Sequence, residues 1–117
     1  MIRILLAIMP SLLRMKVENG FTPLHWAVES GDIMLASLLL DYGANVNSRD
    51  DNGWTPLHHA AMKDFERMTF LLIGHGADLN ATNYQNVTPI GIARLNGENK
   101  AFELMQGYLR RQGMLRA

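Results

Sequence analysis

The tetrapeptide Thr22-Pro23-Leu24-His25 returns 33 residues later as Thr55-Pro56-Leu57-His58 and, after the same interval, as Thr88-Pro89-Ile90-Gly91. Self-similarity at such a period specifies stacked supersecondary units, because one unit cannot bury its apolar face alone. The register holds beyond the tetrapeptide. Gly20 maps to Gly53, and Ala27 maps to Ala60 and Ala93. Leu38-Leu39-Leu40 maps to Leu71-Leu72-Ile73, and Gly43-Ala44-Asn45-Val46-Asn47 maps to Gly76-Ala77-Asp78-Leu79-Asn80.

Each residue of the unit has a physical task. Thr22 suits an N-cap, and Pro23 follows at the first helical position, where a missing N–H costs nothing. A short helix is predicted from Pro23 to Ser30, with Ala27 small enough for a neighbouring helix to approach closely. Gly31-Asp32 breaks it. A second helix is predicted from Ile33 to Tyr42, carrying apolar Ile33, Leu35, Leu38 and Leu39. Leu38 and Leu71 are read as the residues that hold the second helices together. Gly43 fits a left-handed C-terminal cap. The stretch from Asn45 to Gly53 is rich in Asn, Asp, Ser and Gly and reads as a turn between units. Neither helix is long enough to persist alone in water, so stacking must bury both.

A Thr-Pro-Leu-His motif, then Ala, then a Leu-Leu pair, then Gly-Ala-Asn/Asp-Val/Leu-Asn resembles the ankyrin repeat. The match is specific over residues 17–82 and looser over 83–111. The resemblance implies an all-α solenoid of helix-turn-helix units with hairpin-like fingers projecting at a right angle. The fingers then centre on Asp50 to Trp54 and Asn83 to Val87, with a partial one at Val17 to Phe21. The expected divisions are an N-terminal half-repeat at 1–16, full repeats at 17–49 and 50–82, and a degenerate C-terminal capping repeat at 83–117. In that last unit Gly91 replaces the His. Apolar Ala101, Phe102, Leu104, Met105 and Leu109 are interleaved there with polar Glu103, Gln106, Arg110 and Arg111, the pattern of a terminal cap.

At the other end Leu5-Leu6 stand 33 residues before Leu38-Leu39, so residues 2–9 are expected to form the second helix of the half-repeat. Ile2, Ile4, Leu5, Ile8 and Met9 give that helix an uncovered apolar face. Such a face calls for another repeat, a partner or a second copy of the chain. The stretch is too short to span a bilayer and lacks a small-residue cleavage site, so it is read as fold and not as a signal peptide.

Composition narrows the function. The chain has 11 basic and 11 acidic residues and no basic block, so it lacks the positive excess that holds nucleic acid by its phosphates. It has no cysteine, which excludes disulfides and thiolate metal sites and favours a cytoplasmic or nuclear setting. The serines, Ser11, Ser30, Ser37 and Ser48, lie in no nucleophile elbow, and no glycine-rich phosphate loop with Lys is present. The adjacent His58-His59 pair suggests a metal at first sight. However, no acidic residue stands at ligand spacing from it, so no metal or cofactor is expected. By resemblance His25 and His58 are structural and bond groups in the neighbouring finger. His59, in the slot of Trp26 and Ile92, is expected to face the core between helices. His75 is expected at a helix end, where positive charge is favourable.

The resemblance directs attention to the concave side and the finger tips as a protein-binding surface. Phe21, Trp54 and Val87 precede each Thr-Pro and are expected to be exposed on the fingers. Glu29-Ser30, Met62-Lys63 and Leu95-Asn96 end the first helices. The finger tips add Glu18-Asn19, Asp51-Asn52 and Tyr84-Gln85. Trp54, Met62, Tyr84, Val87 and Leu95 are expected to form an apolar strip flanked by charge. The functional expectation is therefore a non-enzymatic protein–protein interaction module acting in the cytoplasm or nucleus as a scaffold, with no membrane or nucleic-acid partner. The alternatives are a detached regulatory or targeting domain of a larger enzyme or effector, and a module that self-associates through its uncapped N-terminal end. By resemblance, too, Asn47 and Asn80 stand where ankyrin repeats can be hydroxylated at the β-carbon. Leu39 and Leu72 lie eight residues upstream of them. Such modification would read as one added oxygen in the intact mass.

Overall fold

A computed structural model describes Arg3, residues 10–97 and residues 99–113. The helix expected over residues 2–9 lies, Arg3 apart, outside the described residues, and so does its apolar face. The described chain continues with a 3-10 turn, Pro10–Arg14, whose Leu13 is buried in the core. Three helix pairs follow. They are α1 (Pro23–Glu29) with α2 (Ile33–Asp41), α3 (Pro56–Lys63) with α4 (Glu66–Gly74), and α5 (Pro89–Leu95) with α6 (Lys100–Arg111). The first helices α1, α3 and α5 pack in one row, and the second helices α2, α4 and α6 pack in a row behind it. The assembly measures 47 × 26 × 21 Å, elongated as stacking requires.

The caps follow from the repeated motif. Thr22, Thr55 and Thr88 each accept a hydrogen bond from the backbone N–H three residues on. In the first two repeats the third residue is histidine, and its ring closes a reciprocal capping box. The Thr22 N–H donates to His25 Nδ1 at 3.2 Å, and the Thr55 N–H donates to His58 Nδ1 at 3.1 Å. The far ring nitrogen then reaches into the next repeat. His25 Nε2 donates to the Trp54 carbonyl at 3.0 Å and His58 Nε2 to the Val87 carbonyl at 2.8 Å. Both histidines are fully buried. Each therefore ties a helix start to the following finger, as the resemblance implies. Gly91 occupies this slot in the last repeat, where no further finger follows among the described residues.

This arrangement requires neutral imidazoles, with Nδ1 accepting and Nε2–H donating. Burial lowers the pKa of His25 and of His58 below the ordinary 6.5, against the raising effect of the carbonyl each one meets. Because the folded values are depressed, unfolded chain binds protons first as the pH falls. The stabilising contribution is complete above about pH 6.5 and declines as the pH drops through and below that value. The urea midpoint is expected to fall between pH 7.5 and pH 5. The fall should be shallower in the double variant His25→Gln, His58→Gln. Equal slopes for the two proteins would refute the role assigned to these rings.

The core repeats as the motif does. Ala27, Ala60 and Ala93 are fully buried and bring α1, α3 and α5 together. Behind them Leu39, Leu72 and Met105 form a second buried series at the same interval. Leu38 and Leu71 are only half-buried and pack against the margin of the core. The second leucine of each pair, not the first, holds the second helices together. The helical period explains this: Leu39 shares a face with Ala36 and Leu40, and Leu38 is rotated away from it.

Candidate functional site

The fingers are narrow turns built on a carboxylate or an amide. Asp50 Oδ1 accepts the backbone N–H of Asn52 and of Trp54, both at 2.9 Å. Asn83 Oδ1 accepts those of Gln85 at 2.9 Å and Val87 at 3.0 Å. Backbone pairing closes each turn, from the Asp50 N–H to the Trp54 carbonyl and from the Asn83 N–H to the Val87 carbonyl, both at 2.9 Å. Gly20, Gly53 and Asn86 share one slot with φ of 72°, 77° and 63°. This left-handed conformation suits glycine and is tolerated by asparagine. A Cβ on Gly53 would also stand 2.6 Å from the Tyr84 ring. Successive fingers are joined by the Asp51 N–H to the Asn19 carbonyl at 3.0 Å and the Tyr84 N–H to the Asn52 carbonyl at 3.2 Å.

Against this row of fingers lies an open groove of about 530 Å³. Phe21, Trp54 and Tyr84 give it aromatic walls, Asn19, Asn52 and Gln85 line it with primary amides, and Asp50 and His59 complete it. The rings are closely set: Phe21 lies 5.2 Å and Trp54 5.0 Å from the His59 ring, centroid to centroid. His59 thus faces the groove and not the core between helices. Its Nε2 lies 2.8 Å from Asp50 Oδ2, and its Nδ1 lies 3.1 Å from Glu29 Oε2. The other Glu29 oxygen meets Lys63 Nζ at 3.2 Å. In the last repeat Asn83 replaces the aspartate and Ile92 the histidine. There the buried Asn83 Nδ2 has no hydrogen-bond partner among the described residues.

Donor atoms of His25, Asp50 and His59 fall within 4.8 Å of one another, so acidic and imidazole groups do converge beside His58-His59. Local spacing could not reveal this, because Asp50 comes from a finger and Glu29 from the previous repeat. The cluster's donors are already engaged. Both nitrogens of His25 are taken, Nδ1 by the Thr22 N–H and Nε2 by the Trp54 carbonyl. Asp50 accepts from two backbone N–H groups and from His59. The geometry accounts for these residues as a bonded network.

The anticipated binding residues separate into groups. Trp54 and Phe21 reach the groove but are half-buried; both rings lie against His59, and Trp54 also packs on the core. Val87 is half-buried against the core and does not line the groove. Tyr84 is 68% exposed and is the accessible aromatic of the groove. Met62 and Leu95 are exposed on the ends of α3 and α5, outside the groove. The apolar strip is therefore divided. Glu29 and Lys63 pair beside His59, and Asp51 and Asn52 are exposed on the finger. Asn47 is half-buried, its Oδ1 accepting the Asp78 N–H at 2.8 Å, and Asn80 is exposed in the matching turn. His75 ends α4, with Nδ1 3.0 Å from the Leu71 carbonyl, as expected of a residue at a helix C-terminus. Asp50 and His59 are the groove residues that sequence reasoning missed. Their nine-residue spacing carries no recognised signal.

With this geometry in view, the chain belongs to the ankyrin repeat family. It matches the family model for ankyrin repeats (3 copies) over residues 1–83 and 37–108. Such repeats are in general protein–protein interaction modules, typically without enzymatic activity. A stretch of 37 residues is 46% identical to Delta-latroinsectotoxin-Lt1a of Latrodectus tredecimguttatus. The match covers 32% of this chain and 3% of that protein. Among the described residues no helix is long and apolar enough to cross a membrane.

Proposed function

We propose that this chain is a non-enzymatic recognition module that binds another protein in the groove between its fingers and first helices. The observation that carries the reading is an open groove of about 530 Å³ with aromatic walls drawn from successive fingers. Aromatic side chains dominate interface energetics, and an accessible one beside fixed polar groups is the composition of a binding patch. The groove's titratable groups are tied into structural bonds, which supports binding over chemistry. The absence of cysteine suits a reducing compartment, cytoplasm or nucleus, where the module would act as a scaffold.

The test is capture. Immobilised wild-type chain is expected to retain a protein that an immobilised Tyr84→Ala chain does not. Tyr84 lies in the groove and contributes little to the core, so the control keeps its fold. Identical retention by both chains would exclude the groove as the binding surface.

A further inference from the structure

We propose that the groove takes an extended, basic segment of its partner. The amides of Asn19, Asn52 and Gln85 would run along the segment's backbone, and Asp50 would lie beneath one lysine or arginine side chain. This rests on the protein-binding reading above and specifies the occupant.

The first support is a periodicity. Asn19, Asn52 and Gln85 recur at 33-residue intervals, one to each finger, and all three line the groove. A primary amide offers a donor and an acceptor side by side, the complement of a peptide N–H and C=O. Bonds between fingers fix the spacing of this ladder. Neighbouring packed helices lie about 8–10 Å apart. An extended chain in the polyproline II form advances about 3.1 Å per residue with three residues per turn, so one repeat matches three of its residues and returns the same side to the ladder. A helical occupant, rising about 1.5 Å per residue and bonding its own backbone, would leave the amides without partners. The ladder therefore suits residues i, i+3 and i+6 of an extended segment.

The second support is charge. Among the described residues Asp50 is the one carboxylate lining the groove, and no lysine or arginine lines it. Its Oδ1 is filled by two backbone N–H groups, but Oδ2 accepts only from His59. A carboxylate oxygen can accept more than one hydrogen bond. Glu29, on the far side of the His59 ring, is paired with Lys63, so the charge that faces the groove is that of Asp50. Phe21, Trp54 and Tyr84 bring aromatic rings to the same groove, and aromatic faces attract ammonium and guanidinium groups. A cation in this groove meets negative charge and π-faces together.

The experiment uses the full chain with positional-scanning libraries of acetylated nonapeptide amides, read by fluorescence polarisation. Wild type is expected to select lysine or arginine at one position, about tenfold over norleucine. Asp50→Asn is expected to lose that selection, so that lysine, arginine and norleucine peptides bind alike. The substitution keeps the turn, because Asn83 makes the same pair of backbone bonds in the next finger. Should Asp50→Asn fail to fold, the exposed Tyr84→Ala variant provides the second measurement. It should weaken lysine and arginine peptides more than norleucine peptides. Asn52→Ala should weaken all peptides alike. Selection of acidic residues, no selection, or basic selection undiminished in both Asp50→Asn and Tyr84→Ala would overturn the proposal. So would failure of every library to bind. In that last case, a protein partner still captured by wild type and lost with Tyr84→Ala would leave the protein-binding reading standing.

Discussion

Leu72→Ala is expected to cost about 3–5 kcal/mol of stability, the upper part of the range for emptying a buried leucine site. Leu72 is fully buried at the centre of the second-helix row, with Leu39 and Met105 in the equivalent positions on either side. Helix α4 packs against α2, α3 and α6, which also pack on other elements, so collapse around the vacated site would be limited. Domains of this size are stable by only about 5–15 kcal/mol. The loss should lower the thermal midpoint by roughly 10–20 °C. Leu71→Ala, one residue away but half-buried, should cost about 1–2 kcal/mol, because less apolar area leaves water there on folding. Chemical unfolding of the two variants side by side is the measurement. A larger loss for Leu71→Ala would mean that the α4 face turned toward the core has been wrongly assigned.

That contrast also marks where the sequence was legible. The 33-residue period, the Thr-Pro caps, the glycine punctuation and the role of His25 and His58 are local or periodic features, and each appears in the fold as read. The choice between Leu71 and Leu72 needs the rotation of α4 about its axis. A nine-residue helix with apolar residues on several sides leaves that rotation open until its neighbours are in place. The groove was harder still. Its amides and aromatics were named as finger residues, since they recur with the period. The Asp50–His59–Glu29 network joins a finger, the next helix and the preceding repeat. It occurs in one repeat only: position 17 is valine and position 83 asparagine, with Trp26 and Ile92 in the histidine slot. A feature that breaks the repeat is invisible to an argument founded on repetition.

Trp54 and Tyr84 should respond differently to truncation, and the difference follows from how each is held. Trp54→Ala is expected to cost about 2 kcal/mol of stability, since the half-buried ring packs on the core and lies 5.0 Å from the His59 ring. Its backbone is equally committed: the N–H bonds Asp50 and the carbonyl accepts from His25. Removing the ring would loosen the finger that carries Asn52 and so weaken binding indirectly as well. Tyr84 is 68% exposed, and its truncation should change stability by less than about 0.5 kcal/mol. A central aromatic anchor costs ~2 kcal/mol or more of binding when cut to alanine, roughly a thirtyfold loss of affinity. Tyr84→Ala is therefore the variant that separates recognition from folding, and Trp54→Ala damages both. Thermal midpoints and titrations against the captured partner, made on the same preparations, give the two quantities for each variant. An unchanged affinity in Tyr84→Ala would remove the accessible wall of the groove from the interface.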